Sequence, residues 1–171
     1  EWAFQGSVGG EYRFTESISL DGSLYRGELR ELIVAGVSED PTASGRPAFL
    51  PTGAGVNQGL EFLLRHDPGD TGFFGWISYT PQQAERTDNL ENACPRTGDA
   101  TPPPGCTPWV DFDFDQTHIL TLVASQKLKK GWEVGMRFRY TTGTPYTPLY
   151  TGFYDVDDDS YSSFAGAQNS L

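Results

Sequence analysis

The feature that most constrains this chain is the stretch 132–141, in which apolar and polar residues alternate without a break. Successive side chains of a β-strand point to opposite sides, so the stretch predicts a strand with one apolar and one charged face. The apolar set is Trp132, Val134, Met136, Phe138 and Tyr140, and the opposite set is Glu133, Gly135, Arg137, Arg139 and Thr141. Such a run with aromatic residues at both ends is typical of a strand that crosses a bilayer, which needs about 9–11 residues.

Five further stretches have the composition of strands, namely 2–14, 18–34, 55–66, 72–85 and 115–127. Most of them alternate between apolar and polar residues. The stretch 72–85 is apolar at both parities, which leaves the assignment of its two faces open. Glycine and proline are frequent, and no stretch has the periodicity and capping residues of an amphipathic helix. The sequence therefore predicts an all-β protein in which about six strands are visible.

The links between these strands alternate in length. Short links lie at 15–17, 67–71 and 129–131, whereas about 20 residues separate the second and third strands and about 30 the fourth and fifth. A long polar tail follows the sixth. Structureless loops beyond ~15 residues are uncommon in compact soluble domains. Outer-membrane barrels instead combine short periplasmic turns with long extracellular loops. The pattern predicts an antiparallel up-and-down transmembrane β-barrel segment.

Composition and charge narrow the classes of protein. Mean hydropathy is -0.45, and no stretch approaches the ~20 apolar residues of a transmembrane helix. A barrel strand needs apolar residues only at alternate positions, so this polarity is compatible with a barrel. No signal peptide is visible at the start of the sequence. Residues 82–116 contribute -5 and residues 155–159 contribute -4 of the net charge of -11. A chain so acidic is a poor partner for nucleic acid, and the two acidic segments are expected to be solvated loops.

The two cysteines, Cys94 and Cys106, flank a proline-rich stretch within one predicted loop. Their proximity in sequence predicts a local disulfide, and hence an oxidising compartment such as the periplasm or the cell surface. A metal site built on these cysteines is the alternative. It is less favoured because both histidines, His66 and His118, belong to strands elsewhere.

Several segments together resemble the barrel of TonB-dependent outer-membrane receptors. The most specific are the DQTH step at 115–118 and the GTPYTP step at 143–148, supported by the segments 55–66, 72–80, 112–128 and 131–148. The resemblance implies a location in the bacterial outer membrane and a 22-stranded barrel, with a plug domain and a TonB box that couples transport to the proton gradient. No plug domain or TonB box is visible. We expect residues 1–171 to be part of a larger barrel, because about six strands cannot close around a lumen and an open edge cannot face lipid.

Charged residues on the polar side of the strands are the candidates for contact with a ligand, a plug or the lumen. If the apolar residues face lipid, the following residues face the lumen: Glu11, Arg13, Glu61, Arg65, Glu133, Arg137 and Arg139. Charges of both signs on adjacent strands are expected to pair across the strands. A role of the arginines in binding a substrate or the plug is the alternative.

Two acidic clusters are a further, weak hint of a metal site. Asp155, Asp157 and Asp159 alternate as in a calcium loop, but the glycine and glutamate of an EF-hand are missing, so a solvated loop is the simpler interpretation. Asp111, Asp113 and Asp115 are expected to share one face of a strand near the barrel mouth. No other cofactor is indicated. No catalytic constellation is recognisable, which predicts that the chain is not an enzyme.

Two hypotheses on function follow. The first is a segment of a TonB-dependent receptor barrel that imports a scarce ligand such as a siderophore, cobalamin or an oligosaccharide. The second is a receptor-like barrel that serves as a scaffold in an outer-membrane assembly without transport. The expected partners are outer-membrane lipid and lipopolysaccharide, the remainder of the barrel, and TonB or other assembly proteins. A small soluble β-sheet binding module is a third hypothesis, which the alternation of the links disfavours.

Overall fold

The computed structural model describes residues 1–37, 47–96, 103–157 and 159–169. These residues form β-strands joined by turns and one short 3-10 turn, Lys129–Gly131. The strands are β1 (Trp2–Arg13), β2 (Ile18–Val37), β3 (Pro47–His66), β4 (Phe73–Thr87), β5 (Val110–Asp111), β6 (His118–Lys127), β7 (Glu133–Thr141), β8 (Leu149–Asp155) and β9 (Ser160–Ala165). The prediction of an all-β protein is confirmed.

The main sheet is an antiparallel meander in the order β1-β2-β3-β4-β6-β7, and β5 pairs with the far end of β4. Each of the six predicted strands hydrogen-bonds to the next one along the chain, as an up-and-down arrangement requires. The sheet is open within the described residues, with β1 and β7 at its two edges. β8 and β9 form a separate two-stranded sheet.

The three predicted short turns are confirmed, and the antiparallel order places all of them at the same end of the sheet. In the first, Thr15 Oγ1 accepts hydrogen bonds from the backbone N–H groups of Ser17 and Ile18. In the second, Gly72 has φ +65°, a conformation that costs glycine little. In the third, Lys130 and Gly131 have φ 64° and 79°, and the N–H of Leu128 donates to the carbonyl of Trp132 at 2.7 Å.

One long link and the tail contain more strand than predicted. β2 reaches Val37 and β3 starts at Pro47, so most of the predicted loop 35–54 is strand. Proline and glycine in PAFLPTGAG suggested a loop, but the facing β2 residues complete the ladder after register shifts near Glu31, which has φ 58°. Residues 38–46 lie outside the described part. The predicted tail is also structured, since β8 pairs with β9. Within this pair, Phe153 contacts Phe164 and Tyr154 contacts Tyr161.

The predicted fifth strand, 115–127, begins three residues later than predicted, and a separate two-residue strand precedes it. β5 covers two residues, and β6 begins only at His118, with a change of register against β4 between them. Asp115 fills the break: its side chain accepts hydrogen bonds from the Ala84 N–H at 2.8 Å and from the Thr117 hydroxyl at 3.2 Å. Asp115 is only 4% exposed. At the DQTH segment, the Asp115 carboxylate therefore accepts the hydrogen bond of a β4 backbone N–H group that lies between the β4–β5 and β4–β6 ladders.

Few side chains of the described residues are buried. The buried apolar ones are Ala54, Val56 and Cys94. They lie near the end of the sheet where the loop 88–109 begins, and Thr52 joins that loop to β3 through its bonds to Leu90 and Asp88. Most of the sheet has no second layer packed on it among the described residues. A water-soluble sheet normally covers one face with another layer, so this open sheet needs a different partner for its apolar face.

Candidate functional site

The strand register brings the apolar residues of six strands onto one face, which we call the apolar face. One row runs across it through the pairs Leu20 to Leu64, Leu64 to Ile77, Ile77 to Leu122 and Leu122 to Phe138. The large side chains of the apolar face are exposed: the exposed fraction is 59% for Met136 and 52% for Phe138. Soluble monomers rarely expose a contiguous apolar patch larger than a few hundred Å². This face is the main candidate functional surface.

The register also assigns the two faces of β4. Phe73, Ile77 and Tyr79 lie on the apolar face, opposite Gln126, Leu122 and Leu120 of β6. Phe74 and Trp76 lie on the other face. Gln126 is a polar residue on the apolar face, close to the short turns. Its side-chain amide donates to the carbonyls of Thr71 and Lys127 at 2.8 and 2.9 Å, so its polar group is satisfied at the turn.

The apolar residues form a band that runs obliquely across the strands. On β7 the band is centred on Met136, whose row leads through Ala124, Gly75 and His66 to Ile18 of β2. On β1 it is centred on Val8, which pairs with Leu24. The centre thus moves six residues along β2.

This displacement corresponds to a tilt. Six residues of strand span about 20 Å, and the five steps from β1 to β7 span about 24 Å. The band therefore deviates by roughly 40° from the direction perpendicular to the strands. Strands of transmembrane barrels are tilted by about 35–45° from the barrel axis, which is a similar angle. A slab of lipid crossed by tilted strands would produce such an oblique band.

Both ends of the band carry aromatic residues. Trp132, just before β7, and Tyr140 of β7 flank it at one edge of the sheet. Trp2 of β1 and Phe14, just beyond the end of β1, flank it at the other edge. Tryptophan and tyrosine are enriched where membrane meets water. Beyond the band, towards the long links, the same face becomes polar. Arg26, Gln58 and Gln83 form the next row, and Glu28 and Glu85 lie in the row after it.

The opposite face, which we call the polar face, carries all the charged residues predicted to face a lumen. Alternation and register place on it Glu11, Arg13, Glu61, Arg65, Glu133, Arg137 and Arg139. A concavity of about 680 Å³ lies on this side, lined by residues that include Gly9, Glu11, Asp21, Ser23, Glu61, Ser78 and Thr80. Carboxylates and hydroxyls on such a surface can hydrogen-bond a polar ligand or water.

The expected pairing of charges across strands is not what the structure shows. Arg13 pairs with Glu11 of its own strand at 2.8 Å, and Arg65 pairs with Asp67 at 3.1 Å just beyond the end of its strand. Glu61 accepts a hydrogen bond from Ser23 at 2.9 Å, and Glu133 accepts one from Ser125. Within the described ranges, Arg137 and Arg139 have no carboxylate at ion-pair distance. Neighbours two apart on one strand share a face, which allows these local pairs.

The three aspartates expected on one strand face are separated, because the strand breaks between β5 and β6. Asp111 lies beside Glu85, and the pKa of Asp111 is raised by burial and by the charges of Asp115 and Glu85. Asp113 forms an ion pair with Arg86 at 3.5 Å. Asn169, which the sequence did not single out, donates from Nδ2 to the Asp111 carbonyl at 2.7 Å and to Asp113 at 2.6 Å.

The candidate calcium residues occupy the turn between β8 and β9. Asp155 accepts a hydrogen bond from the Asp157 N–H at 3.0 Å, and Asp159 accepts one from the Tyr154 hydroxyl. That bond raises the pKa of Tyr154. Among the described residues, no group of three or more histidine, cysteine, aspartate or glutamate side chains is arranged to hold a metal ion. Asp158 lies outside the described residues, so calcium at this turn stays a hypothesis.

The predicted disulfide between Cys94 and Cys106 is present. The loop that it closes is held to the sheet by an ion pair between Arg96 and Glu85. The Arg96 guanidinium also lies 5.1 Å from the centre of the Trp109 ring. These contacts fix the loop at the end of the sheet opposite the short turns.

Comparison of the chain with protein-family models, with curated proteins and with solved structures finds no match. In the described part of the chain, no helix has the length and apolar character needed to cross a membrane.

Proposed function

We propose that this chain forms part of the wall of an outer-membrane barrel similar to the TonB-dependent receptors, and that the complete barrel takes up a scarce ligand. The observation that carries the proposal is the exposed, oblique apolar band with its aromatic ends. Lipid is a partner that fits an exposed apolar face with a polar reverse side, as in the strands of outer-membrane barrels. The DQTH and GTPYTP segments, which resemble segments of TonB-dependent receptors, support the choice of this family.

The open edges of the sheet support a larger barrel. Among the described residues, β1 and β7 each have a strand neighbour on one side only, and unpaired backbone groups are costly in lipid. Further strands at both edges would satisfy these groups. In the proposed orientation, the three short turns face the periplasm, and the loop with the disulfide faces the oxidising exterior of the cell.

The polar face supplies the transport part of the proposal. Its concavity combines carboxylates and hydroxyls, and its arginines Arg137 and Arg139 are without ionic partners among the described residues. A ligand that crosses a lumen needs polar groups that bind it weakly and repeatedly. A siderophore, cobalamin or an oligosaccharide presents hydrogen-bonding groups of matching kind.

Two neighbouring cysteine variants test the membrane wall. Residues 1–171 contain two cysteines and both are in the disulfide, so each new cysteine is the only free thiol of this part of the protein, and any free cysteine elsewhere in the full protein is replaced by serine beforehand. In the full protein reconstituted in lipid vesicles, we expect a spin label on Met136→Cys to be accessible to oxygen and shielded from a water-soluble nickel relaxant. A label on Arg137→Cys should show the opposite preference. Equal accessibility of both labels to the nickel relaxant would contradict a lipid-facing apolar face.

Uptake assays separate transport from a scaffold role. Cells that express the full protein are given radiolabelled ferrichrome, cobalamin or a maltooligosaccharide as probes. We expect uptake of one probe above that of cells lacking the gene, and we expect a protonophore to abolish the difference. A barrel that passes the labelling test but takes up none of the three probes would contradict this proposal and favour the scaffold.

A further inference from the structure

A shallow groove lies on the apolar face where the band ends towards the long links. It has a volume of about 550 Å³. Its lower side is apolar, with Leu24, Leu60 and Pro81, and the rest of its lining is polar and includes Gln58, Gln83, Asp111 and Asp115. The paired glutamines Gln58 and Gln83 are neighbours across β3 and β4. The groove therefore straddles the boundary between the apolar band and the polar rows above it.

A cationic cluster adjoins one end of this groove. Arg26 donates from Nη1 to the Gln58 Oε1 atom at 3.3 Å, and Glu28 accepts from both Arg26 at 3.1 Å and Arg30 at 3.5 Å. Two guanidinium groups for one carboxylate leave a net positive charge. The side chain of Arg26 is 55% exposed, and a guanidinium has five N–H donors. It can therefore bind a further anion.

The charges are distributed unevenly along the groove. Arg26 lies outside the lining and adjoins one end through its bond to Gln58. The two carboxylates of the lining, Asp111 and Asp115, lie towards β4 and β5, with Asp111 about 15 Å away from Arg26, three strand steps across the sheet. A phosphate is attracted to the arginine end and repelled from the aspartate end, where hydroxyl or amine donors are favoured. The apolar side of the groove continues into the band, where an acyl chain would lie.

We infer that this groove binds the phosphorylated headgroup of a membrane lipid, with the phosphate on Arg26 and the acyl chains over Leu24 and Leu60. The inference rests on the proposed function, because it requires the apolar face to contact lipid. In the proposed orientation, the headgroup belongs to the outer leaflet, where phosphorylated glycolipids such as lipid A reside. Arg30 stacks over Trp2 at 5.6 Å from the ring centre, which continues the headgroup level onto β1.

The test uses the full protein in detergent micelles, with lipid A and enzymatically dephosphorylated lipid A as probes and native mass spectrometry as the readout. We expect Arg26→Gln to weaken lipid A binding about tenfold, the loss of one charge-assisted contact. It should leave binding of the dephosphorylated probe unchanged. Lys129→Gln removes one positive charge at the opposite end of the sheet and is the matched control, with an expected change of less than about twofold.

A third variant gives an effect of opposite sign. Glu28→Gln removes the carboxylate that competes for the two arginines, so lipid A binding should become a few-fold tighter. A purely structural role of this cluster would not produce that gain. Equal effects of Arg26→Gln and Lys129→Gln would overturn the inference, as would loss of binding in Glu28→Gln. If the Met136 and Arg137 labels still behave as expected, the lipid-facing wall stands while the headgroup site fails. If they do not, the proposed function fails.

Discussion

Ala124→Arg should cost the folded protein about 2–4 kcal/mol, whereas Ser125→Arg, one residue further on, should cost less than about 1 kcal/mol. Ala124 lies on the apolar face between Gly75 and Met136, in the middle part of the band. In the proposed barrel, an arginine there would have to leave its guanidinium in hydrocarbon or pull water into the membrane. Ser125 lies on the polar face, where a new arginine can pair with Glu133, the present partner of Ser125.

The measurement is unfolding by urea of the full protein reconstituted in lipid vesicles, followed by tryptophan fluorescence. The two variants add the same side chain to the same strand, so a difference in free energy of unfolding between them reports the environment of each face. In buffer without lipid or detergent, the apolar face does not contact hydrocarbon, so the expected difference between the two variants does not apply there. Similar costs at both positions would show that the apolar face is covered by protein and not by lipid.

The second large effect concerns the loop closed by Cys94 and Cys106. Replacing both cysteines with serine removes a cross-link between residues 12 apart, which the chain-entropy model values at about 3 kcal/mol. The loop should open more often, and trypsin should cut after Arg96 roughly 100-fold faster. The Arg96 ion pair with Glu85 and its contact with Trp109 remain, but neither replaces the covalent constraint.

Cleavage at the Lys129–Gly131 turn provides an internal control in the same digest. That turn lies at the opposite end of the sheet from the disulfide, so its cleavage rate should not change. Mass spectrometry of the fragments from protein in micelles distinguishes the two sites. Equal acceleration at both sites would indicate that the disulfide stabilises the whole sheet, and unchanged cleavage after Arg96 would indicate that its other contacts hold the loop closed.

The parts of the fold that depend on local alternation could be predicted from the sequence. The strand containing Met136, the turn at Lys129–Gly131 and the antiparallel order follow from period-two patterning and short polar links. The disulfide follows from two cysteines in one loop. These features need only a few neighbouring residues, so they are readable without knowing the partners of each strand.

The rest depends on pairing between distant residues. Phe73 and Phe74 are equally apolar, and only the register with β6 shows that Phe73 shares the face of Ile77. The same is true of 47–54, where glycine and proline suggested a loop and β2 supplied a partner. Propensity for strands is strongly context-dependent. The tilt of the band and the groove beside Arg26 also appear only when the rows of several strands are aligned.

The break at Asp115 has a consequence for how such a chain can change over time. The strand resumes at His118 in a register shifted from that of β5, and the Asp115 carboxylate on the Ala84 N–H bridges the shift. Because nine residue pairs with β4 hold β6 in place, we expect that residues ahead of Val110 can differ in number or type without moving Leu120 or Leu122 relative to β4. The loop before β5 can therefore vary in sequence between related chains, whereas β6 must keep its register with β4.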